Sequence, residues 1–270
     1  MFLDGRTETG CEARRDMPGS SGFESTKIAL PIAGLHPAHV GLRVAHLSDL
    51  HIGFGTPHAR LAAAVRFLNH VRPDIVAITG DMLTRHWPVP LAELNFLEDL
   101  TSPVYISFGN HEIAIGASAI RKTAASFGAT VLRNEHRVET FRAHPLTIVG
   151  LDDEGRSNRV FASAESQTPG TTVIVLCHWP TIIDQLPENR GWVCLSGHVH
   201  GGAIVVPILT PLLFRLPGQP YLAGPCRIRG NHLYVNRGLG YGSWCMPRFR
   251  ARPEVAIVEL VDCTCTAGSA

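Results

Sequence analysis

The stretch "LRVAHLSDLHIGFGTPHARLAAAVRFLNHVRPDIVAITGD", residues 42–81, contains the pattern from which the fold can be predicted. It begins and ends with short apolar runs, "LRVAHL" and "DIVAIT", which have the length and composition of buried strands. Between them, Leu61, Val65 and Leu68 recur at helical spacing after Pro57, which indicates a helix that starts near the proline. A strand, a helix and a second strand in this order predict a βαβ unit with parallel strands.

The same alternation continues along the chain. "PVYISFGN", "TTVIVLCH" and "WVCLSGH" are further strand candidates, and "PLAELNFLEDL" and "GASAIRKTAASFG" are predicted helices. "ATVLRNEHRVETF", "LTIVGLDD", "RIRGNHLYVNRGLG" and "EVAIVELVD" are typical of more closely spaced strands, with Gly230-Asn231 as a turn. We therefore predict one α/β domain of two sheets over residues 27–263, with tails at residues 1–26, which we expect to be disordered, and 264–270.

The composition is that of a globular protein. Of 270 residues, 45% are hydrophobic and 17% are charged, so the chain can bury a sizeable core. The seven cysteines are odd in number and follow no repeating spacing, which argues against a disulfide framework and favours a reducing compartment. Since no apolar run reaches the roughly 18 residues that span a bilayer, we expect a cytoplasmic location.

The ends of five predicted strands carry side chains that can bind a metal ion. These are Asp49 and His51, Asp81, Asn110 and His111, His178, and His198 and His200. Each has a structural explanation when taken alone, since an aspartate can cap a helix or end a turn and an isolated histidine is usually a hydrogen-bonded structural residue. Because functional groups gather past the carboxyl ends of strands in α/β sheets, five such ends together favour a common site.

The predicted donors indicate which metals the site could bind. Apart from His111, they are two carboxylates, an amide oxygen and four imidazoles with no thiolate, a set that suits manganese, iron or zinc. Seven ligands are too many for one tetrahedral ion and about right for two ions that share a carboxylate. Two ions roughly 3.5–4 Å apart can produce a bridging hydroxide that attacks a phosphoryl group. Gly197, Gly201 and Gly202 would let the backbone turn and the substrate approach.

Five short motifs resemble those of the calcineurin-type metallophosphoesterases, in order and in spacing. They are "DLH" at 49–51, "GD" at 80–81, "GNHE" at 109–112, the histidine at 178 and "GHVH" at 197–200. The resemblance implies two packed mixed β-sheets flanked by helices, a four-layer sandwich, with a dimetal site at one edge. It further implies that Asp49, His51 and His200 hold one metal, that Asp81 bridges, and that Asn110, His178 and His198 hold the second. His111 resembles the family's histidine that stabilises the transition state or protonates the leaving oxygen.

The segments after residue 197 resemble one bacterial branch of that family. "GHVHGG", "YLAG", "LYVNRGLGYG" and "RFRARPEVAIVEL" are similar to membrane-associated phosphodiesterases and hydrolases of UDP-2,3-diacylglucosamine, a lipid A precursor. The sequence departs from this branch in two respects. The branch often begins with a membrane or export segment, not found at the start of this sequence, and it usually has glutamine where this chain has Ala203.

Residues 203–253 contain no aspartate or glutamate but are rich in arginine and in apolar residues. The arginines are Arg215, Arg227, Arg229, Arg237, Arg248, Arg250 and Arg252. In one interpretation, the apolar run "AIVVPILTPLLF" packs on the sheets and the arginines form a solvated face. In the other, apolar surface and positive charge bind an anionic amphiphile, such as a phospholipid or nucleotide-linked lipid, at the inner face of a membrane. No nucleic-acid-binding module is recognised.

We therefore predict a dimetal phosphoesterase that hydrolyses a phosphodiester or pyrophosphate bond, with a lipid-linked or nucleotide-linked substrate as one option. A phosphomonoesterase or a protein phosphatase is the alternative. A non-catalytic scaffold on the same fold is a further alternative, but the complete set of candidate ligands and the histidine after Asn110 disfavour it.

Overall fold

The structure is a computed structural model. It describes residues 13–16, 22–53, 56–86, 88–152, 157–167, 170–202, 218–241 and 248–263.

Seven strands form the first sheet. They are β1 (Ala13–Asp16), β2 (Glu24–Ile32), β3 (Leu42–Leu47), β4 (Ile75–Thr79), β5 (Val104–Ser107), β6 (Thr130–Val131) and β13 (Glu254–Asp262). Their order across the sheet is β1-β2-β13-β3-β4-β5-β6. β3, β4, β5 and β6 are parallel, whereas β13 is antiparallel to β3 and parallel to β2. The sheet is therefore mixed, with its parallel half at the β3 to β6 side.

Six strands form the second sheet. They are β7 (Glu135–Phe141), β8 (His144–Leu151), β9 (Thr172–Cys177), β10 (Val193–Ser196), β11 (Gly224–Ile228) and β12 (Asn231–Val235). Their order is β11-β12-β10-β9-β8-β7. The four inner strands are parallel, and the strand at each edge is antiparallel to its neighbour.

Helices cover the outer faces of the two packed sheets. Among the described residues, the α-helices are α1 (His58–Val71), α2 (Asn110–Ile115), α3 (Ala117–Ser126) and α4 (Ser157–Gln167), and 3₁₀ helices cover Pro37–His39, Leu91–Leu97, Pro180–Gln185 and His200–Gly202. None of the helices in the described ranges is long and apolar enough to span a bilayer.

The core has three apolar clusters, one between each pair of adjacent layers. In β4, Val76 and Ile78 pack with α1, whereas Ile75 and Ala77 point into the cluster between the sheets, because successive side chains of a strand point to opposite faces. The third cluster joins Phe161 of α4 to the second sheet. This arrangement is the predicted four-layer sandwich.

Two elements differ in detail from the sequence predictions. The helix predicted over residues 90–100 is a 3₁₀ helix, Leu91–Leu97, in which Glu93 N–H donates to the Pro90 carbonyl. Its buried residues are Leu94, Phe96 and Leu97, a spacing that no single α-helical face presents. The tail predicted over residues 1–26 contains β1 and the start of β2, because β2 pairs with β13, a strand about 230 residues later in the sequence. The other domain limits stay predictions.

The structure corrects the solvated-face interpretation for two arginines of the arginine-rich segment. Arg237 and Arg248 do not lie on a solvated face, since Arg237 is buried and Arg248 is half-buried. Arg229 is exposed and pairs with Glu188. The apolar run "AIVVPILTPLLF" and Arg215 lie outside the described residues.

A buried ion cluster around Arg237 joins the two sheets. The guanidinium lies 2.9 Å from Glu24 of β2 and 3.0 Å from Glu254 of β13. Tyr234 of β12 in the second sheet donates its hydroxyl to Glu254 at 2.8 Å. Burial alone would raise the pKa of Glu254, but the Arg237 guanidinium lowers it, so the carboxylate is charged.

We predict that Arg237→Met destabilises the fold by about 3–5 kcal/mol, because it leaves buried carboxylates without their cation. Guanidinium denaturation would measure the loss. Arg121→Met is the matched control, since the Arg121–Glu135 pair is exposed and such pairs contribute about 0–1 kcal/mol. Equal losses in the two variants would contradict the prediction.

Candidate metal centre

The eight predicted residues lie at one edge of the molecule, where strands of both sheets end. Asp49 and His51 follow β3, and Asp81 follows β4. Asn110 and His111 open α2 after β5, His178 follows β9, and His198 and His200 follow β10. The parallel strands thus deliver side chains from five loops to a common edge.

Asp49, His51 and His200 form the first group of converging donors. His51 Nε2 lies 3.2 Å from His200 Nε2 and 3.9 Å from Asp49 Oδ1. His200 Nε2 lies 3.3 Å from the same aspartate oxygen. These three side chains could hold a metal ion, and they are the set that the sequence assigned to the first metal.

Asp81 lies at the centre of the second group. Its Oδ2 is 3.2 Å from His178 Nε2 and 3.8 Å from His51 Nε2. His198 Nδ1 is 3.1 Å from His178 Nε2, so it reaches the same group. Asp49, Asp81 and His178 also have donor atoms within 4.8 Å of one another, which makes the two groups contiguous.

Two buried oxygen atoms of the centre have no hydrogen-bond partner. They are Asp49 Oδ1 and Asn110 Oδ1. Asn110 follows Gly109 and precedes His111, whose backbone N–H donates to Asp81 Oδ1 at 3.0 Å. Since buried oxygens are rarely left unpaired, these two atoms fit a site that a cation completes.

The backbone is strained at five of these residues. Asp49, His51, Asp81, His198 and His200 have φ values of 50°, 45°, 52°, 73° and 49°. This left-handed region is unfavourable for residues other than glycine, and residues in this conformation are enriched at functional sites. The fold therefore maintains a conformation that these loops would not adopt alone.

Burial keeps three of the histidines neutral. It lowers the pKa of His51 to about 3 and that of His198 to about 4, and it lowers the pKa of His200 as well. Neutral imidazoles offer lone pairs to a metal. Each ring can therefore act as a ligand at neutral pH without first losing a proton.

His178 differs from these three. Burial alone would lower its pKa, but the Asp81 carboxylate raises it to about 10. Its Nδ1 donates to the Thr79 carbonyl at 2.8 Å, which directs Nε2 toward Asp81. A cation that binds here would displace the proton on Nε2.

His111 is oriented as a proton donor. Its Nδ1 accepts the backbone N–H of Arg85 at 3.1 Å, so the neutral ring carries its proton on Nε2, 3.8 Å from Asp81 Oδ2. Burial lowers the pKa of His111, so the ring is neutral at pH 7. Although His51, Asp81 and His111 also lie close enough to hold an ion, the Nε2 proton makes His111 a poor ligand.

Sequence reasoning missed Glu112, although it lies within the quoted motif "GNHE". Its buried carboxylate accepts backbone N–H groups of Asp81 at 2.8 Å, Leu83 at 3.1 Å and Gly109 at 3.0 Å. It thus joins the loops after β4 and β5. Its place three residues after Gly109, which precedes the first residue of α2, is the signal that could have identified it.

Sequence reasoning also missed Arg248 and Gly238. Arg248 Nη2 lies 3.1 Å from His200 Nδ1, and a side chain at Gly238 would collide with Asp49. Both residues lie in the quoted segments after residue 230, but sequence reasoning did not connect them with the metal ligands. Only the folded chain brings them to the centre.

Comparisons with known proteins agree with this geometry. The family model described as calcineurin-like phosphoesterase matches residues 42–202.

Three curated relatives are similar over about three quarters of the chain. The uncharacterized metallophosphoesterase YkuE of Bacillus subtilis is 28% identical, over 74% of this chain and 72% of its own. The phosphodiesterase YaeI of Escherichia coli is 29% identical, over 76% and 77%. The UDP-2,3-diacylglucosamine pyrophosphatase LpxG of Chlamydia trachomatis is 28% identical, over 76% and 79%.

We predict that Gly197→Ala weakens Mn²⁺ binding about 10- to 100-fold, the usual effect of disturbing groups that orient metal ligands. The added methyl would overlap the Ser48 hydroxyl and the Asp49 carboxylate. Titration calorimetry with Mn²⁺ would measure the change. Gly128→Ala is the control, since its φ of 84° makes alanine unfavourable but no atom lies near the new methyl. Unchanged Mn²⁺ affinity in Gly197→Ala would contradict the prediction that the position of the Asp49 carboxylate matters for Mn²⁺ binding.

Proposed function

Because the chain belongs to the calcineurin-like phosphoesterase family and is a metal-dependent phosphoester hydrolase, we propose that it uses two divalent cations to hydrolyse a phosphodiester or pyrophosphate bond. The convergence of two buried carboxylates and four imidazoles from four loops is the observation that carries the proposal.

The proposed ligands are divided between two ions in the same way as the two contiguous groups of donors. Asp49, His51 and His200 hold one ion, and Asn110, His178 and His198 hold the other, with Asp81 between them. The distances around Asp49 Oδ1 and Asp81 Oδ2 and the unpaired Asn110 oxygen support this division. The nitrogen and oxygen donors suit manganese, iron or zinc. When bound, two such cations activate water and neutralise phosphoryl oxygens.

The protein's own groups position the substrate and stabilise its departing group by hydrogen bonding in this proposal. His111 Nε2–H donates to the oxygen of the departing group, and the Arg85 backbone N–H maintains the required tautomer. Glu112 fixes the spacing between Asp81 and the start of α2, on which His111 lies. Glu112 is therefore a positioning residue.

The names of two relatives support the choice of bond. YaeI is called a phosphodiesterase, and LpxG is called a pyrophosphatase of UDP-2,3-diacylglucosamine. We further propose that the substrate is lipid-linked or nucleotide-linked. A cytoplasmic enzyme would bind it at the inner face of the membrane.

We expect the Mn²⁺-loaded protein to hydrolyse bis(p-nitrophenyl) phosphate with a higher kcat/KM than p-nitrophenyl phosphate. Release of p-nitrophenol measures both rates, and EDTA should abolish them. A preference for the monoester would instead support a phosphomonoesterase.

We predict that His111→Gln lowers kcat on bis(p-nitrophenyl) phosphate by about 10²- to 10³-fold, the range for loss of a hydrogen-bond donor that stabilises the transition state. Mn²⁺ affinity should change little, because His111 is not a proposed ligand. His58→Gln, at an exposed position on α1, is the matched control. Loss of Mn²⁺ binding in His111→Gln would reassign His111 as a ligand, and an unchanged kcat would remove its role in stabilising the departing group.

A further inference from the structure

Trp179 lies where the metal centre meets the third apolar cluster. Its ring centroid is 5.3 Å from that of His178 and 5.9 Å from that of His198, two proposed ligands. The indole packs against the cluster between α4 and the second sheet, yet the residue is only half-buried. His198 beside it is half-buried as well. A large aromatic surface therefore adjoins the donors at a place that a substrate can reach.

The surrounding structure holds the indole in place. Trp179 is followed by the 3₁₀ helix Pro180–Gln185, whose Pro180, Ile182 and Ile183 are buried. The Ile182 N–H donates to the Trp179 carbonyl at 3.3 Å. A side chain that is fixed before binding loses little conformational freedom when a ligand contacts it. Trp179 thus has the rigidity of a binding surface.

Trp179 and His111 contact different parts of the donor cluster. The His111 ring lies 4.8 Å from that of His51. Trp179 instead lies beside the rings of His178 and His198. In the proposed reaction His111 donates to the departing oxygen, so that oxygen lies on the His111 side. The group that stays on the attacked phosphorus would then extend toward Trp179.

An indole favours one kind of group over others. Its faces stack on planar rings, and every nucleobase offers such a face. An acyl chain gains only from the removal of apolar surface from water and has no planar face to stack. The half-buried ring beside the donors therefore fits a nucleotide better than a lipid chain.

We propose that Trp179 stacks on the nucleobase of a nucleotide-linked substrate, in which the nucleotide is the group retained on the attacked phosphorus. This inference rests on the proposed function and selects the nucleotide-linked class over the purely lipid-linked one. Trp179 contacts the base and not the reacting atoms, so it determines specificity and takes no part in the bond-breaking step.

The test compares two diesters with the same leaving group, p-nitrophenyl thymidine-5′-phosphate and methyl p-nitrophenyl phosphate, both with Mn²⁺. In Trp179→Ala, we expect the ratio of their kcat/KM values to fall about 5- to 150-fold, the change that corresponds to one base stacked on an aromatic side chain. The ratio does not depend on the fraction of the protein that is folded, so a loss of stability does not alter it.

Two further variants separate stacking from simple burial. Trp179→Phe should retain most of the ratio, because phenylalanine also stacks on planar rings. Trp179→Leu should lose it as the alanine variant does, because leucine is apolar but not planar. Phe67→Ala is the matched control and should leave the ratio unchanged, since Phe67 is a half-buried aromatic residue that packs against the cluster between α1 and the first sheet.

Three results would overturn the inference and leave the proposed function intact. Equal losses on both diesters in Trp179→Ala would assign the indole to the structure of the centre. An undiminished ratio in Trp179→Leu would replace stacking by general apolar contact. A wild-type protein that cleaves the two diesters equally well would show that no base is bound. A wild-type protein inactive on both, and on bis(p-nitrophenyl) phosphate, would remove the proposed function as well.

Discussion

The burial of two carboxylates side by side is the constraint on which the site depends. Asp49 is fully buried and Asp81 nearly so, and their oxygens lie within 4.8 Å of a common histidine nitrogen. Like charges this close in a poorly solvated place repel each other strongly unless cations or hydrogen bonds compensate. The backbone N–H of His198 and that of His111 each donate to one carboxylate at 3.0 Å, and the Ser48 hydroxyl donates to Asp49 Oδ2 at 2.7 Å. Nearby positive charge would compensate the pair further.

The surrounding fold supplies what this arrangement requires. Strained left-handed residues persist only where the neighbouring structure holds them. Here they lie in the loops that directly follow strands buried on both faces. Gly109 and Gly197 have no side chain where one would collide with Asp81 or Asp49. The Arg237 ion cluster fixes the two sheets to each other just before Gly238, which packs on Asp49. Site and fold are thus stabilised by the same contacts.

The sequence predicted the parts of this structure that are local. The strands that end in Asp49, Asp81 and His178 could be identified because apolar runs and the polar residues after them are adjacent along the chain. Pairing between β2 and β13, and the approach of Arg248 to His200, join residues that are far apart, so no periodicity reveals them. Glu112 lies within a quoted motif, but its residue type did not predict its role. That role is to accept hydrogen bonds from backbone N–H groups and not to contact a ligand.

The same reasoning indicates where substrate choice must reside. A cluster of carboxylates and imidazoles that holds divalent cations treats any phosphoryl group alike, because the cations contact only its oxygens. The chain is about equally similar to a named phosphodiesterase and a named pyrophosphatase, so its overall similarity does not distinguish the two reactions. Discrimination must then come from groups that lie beyond the donors and contact the rest of the substrate.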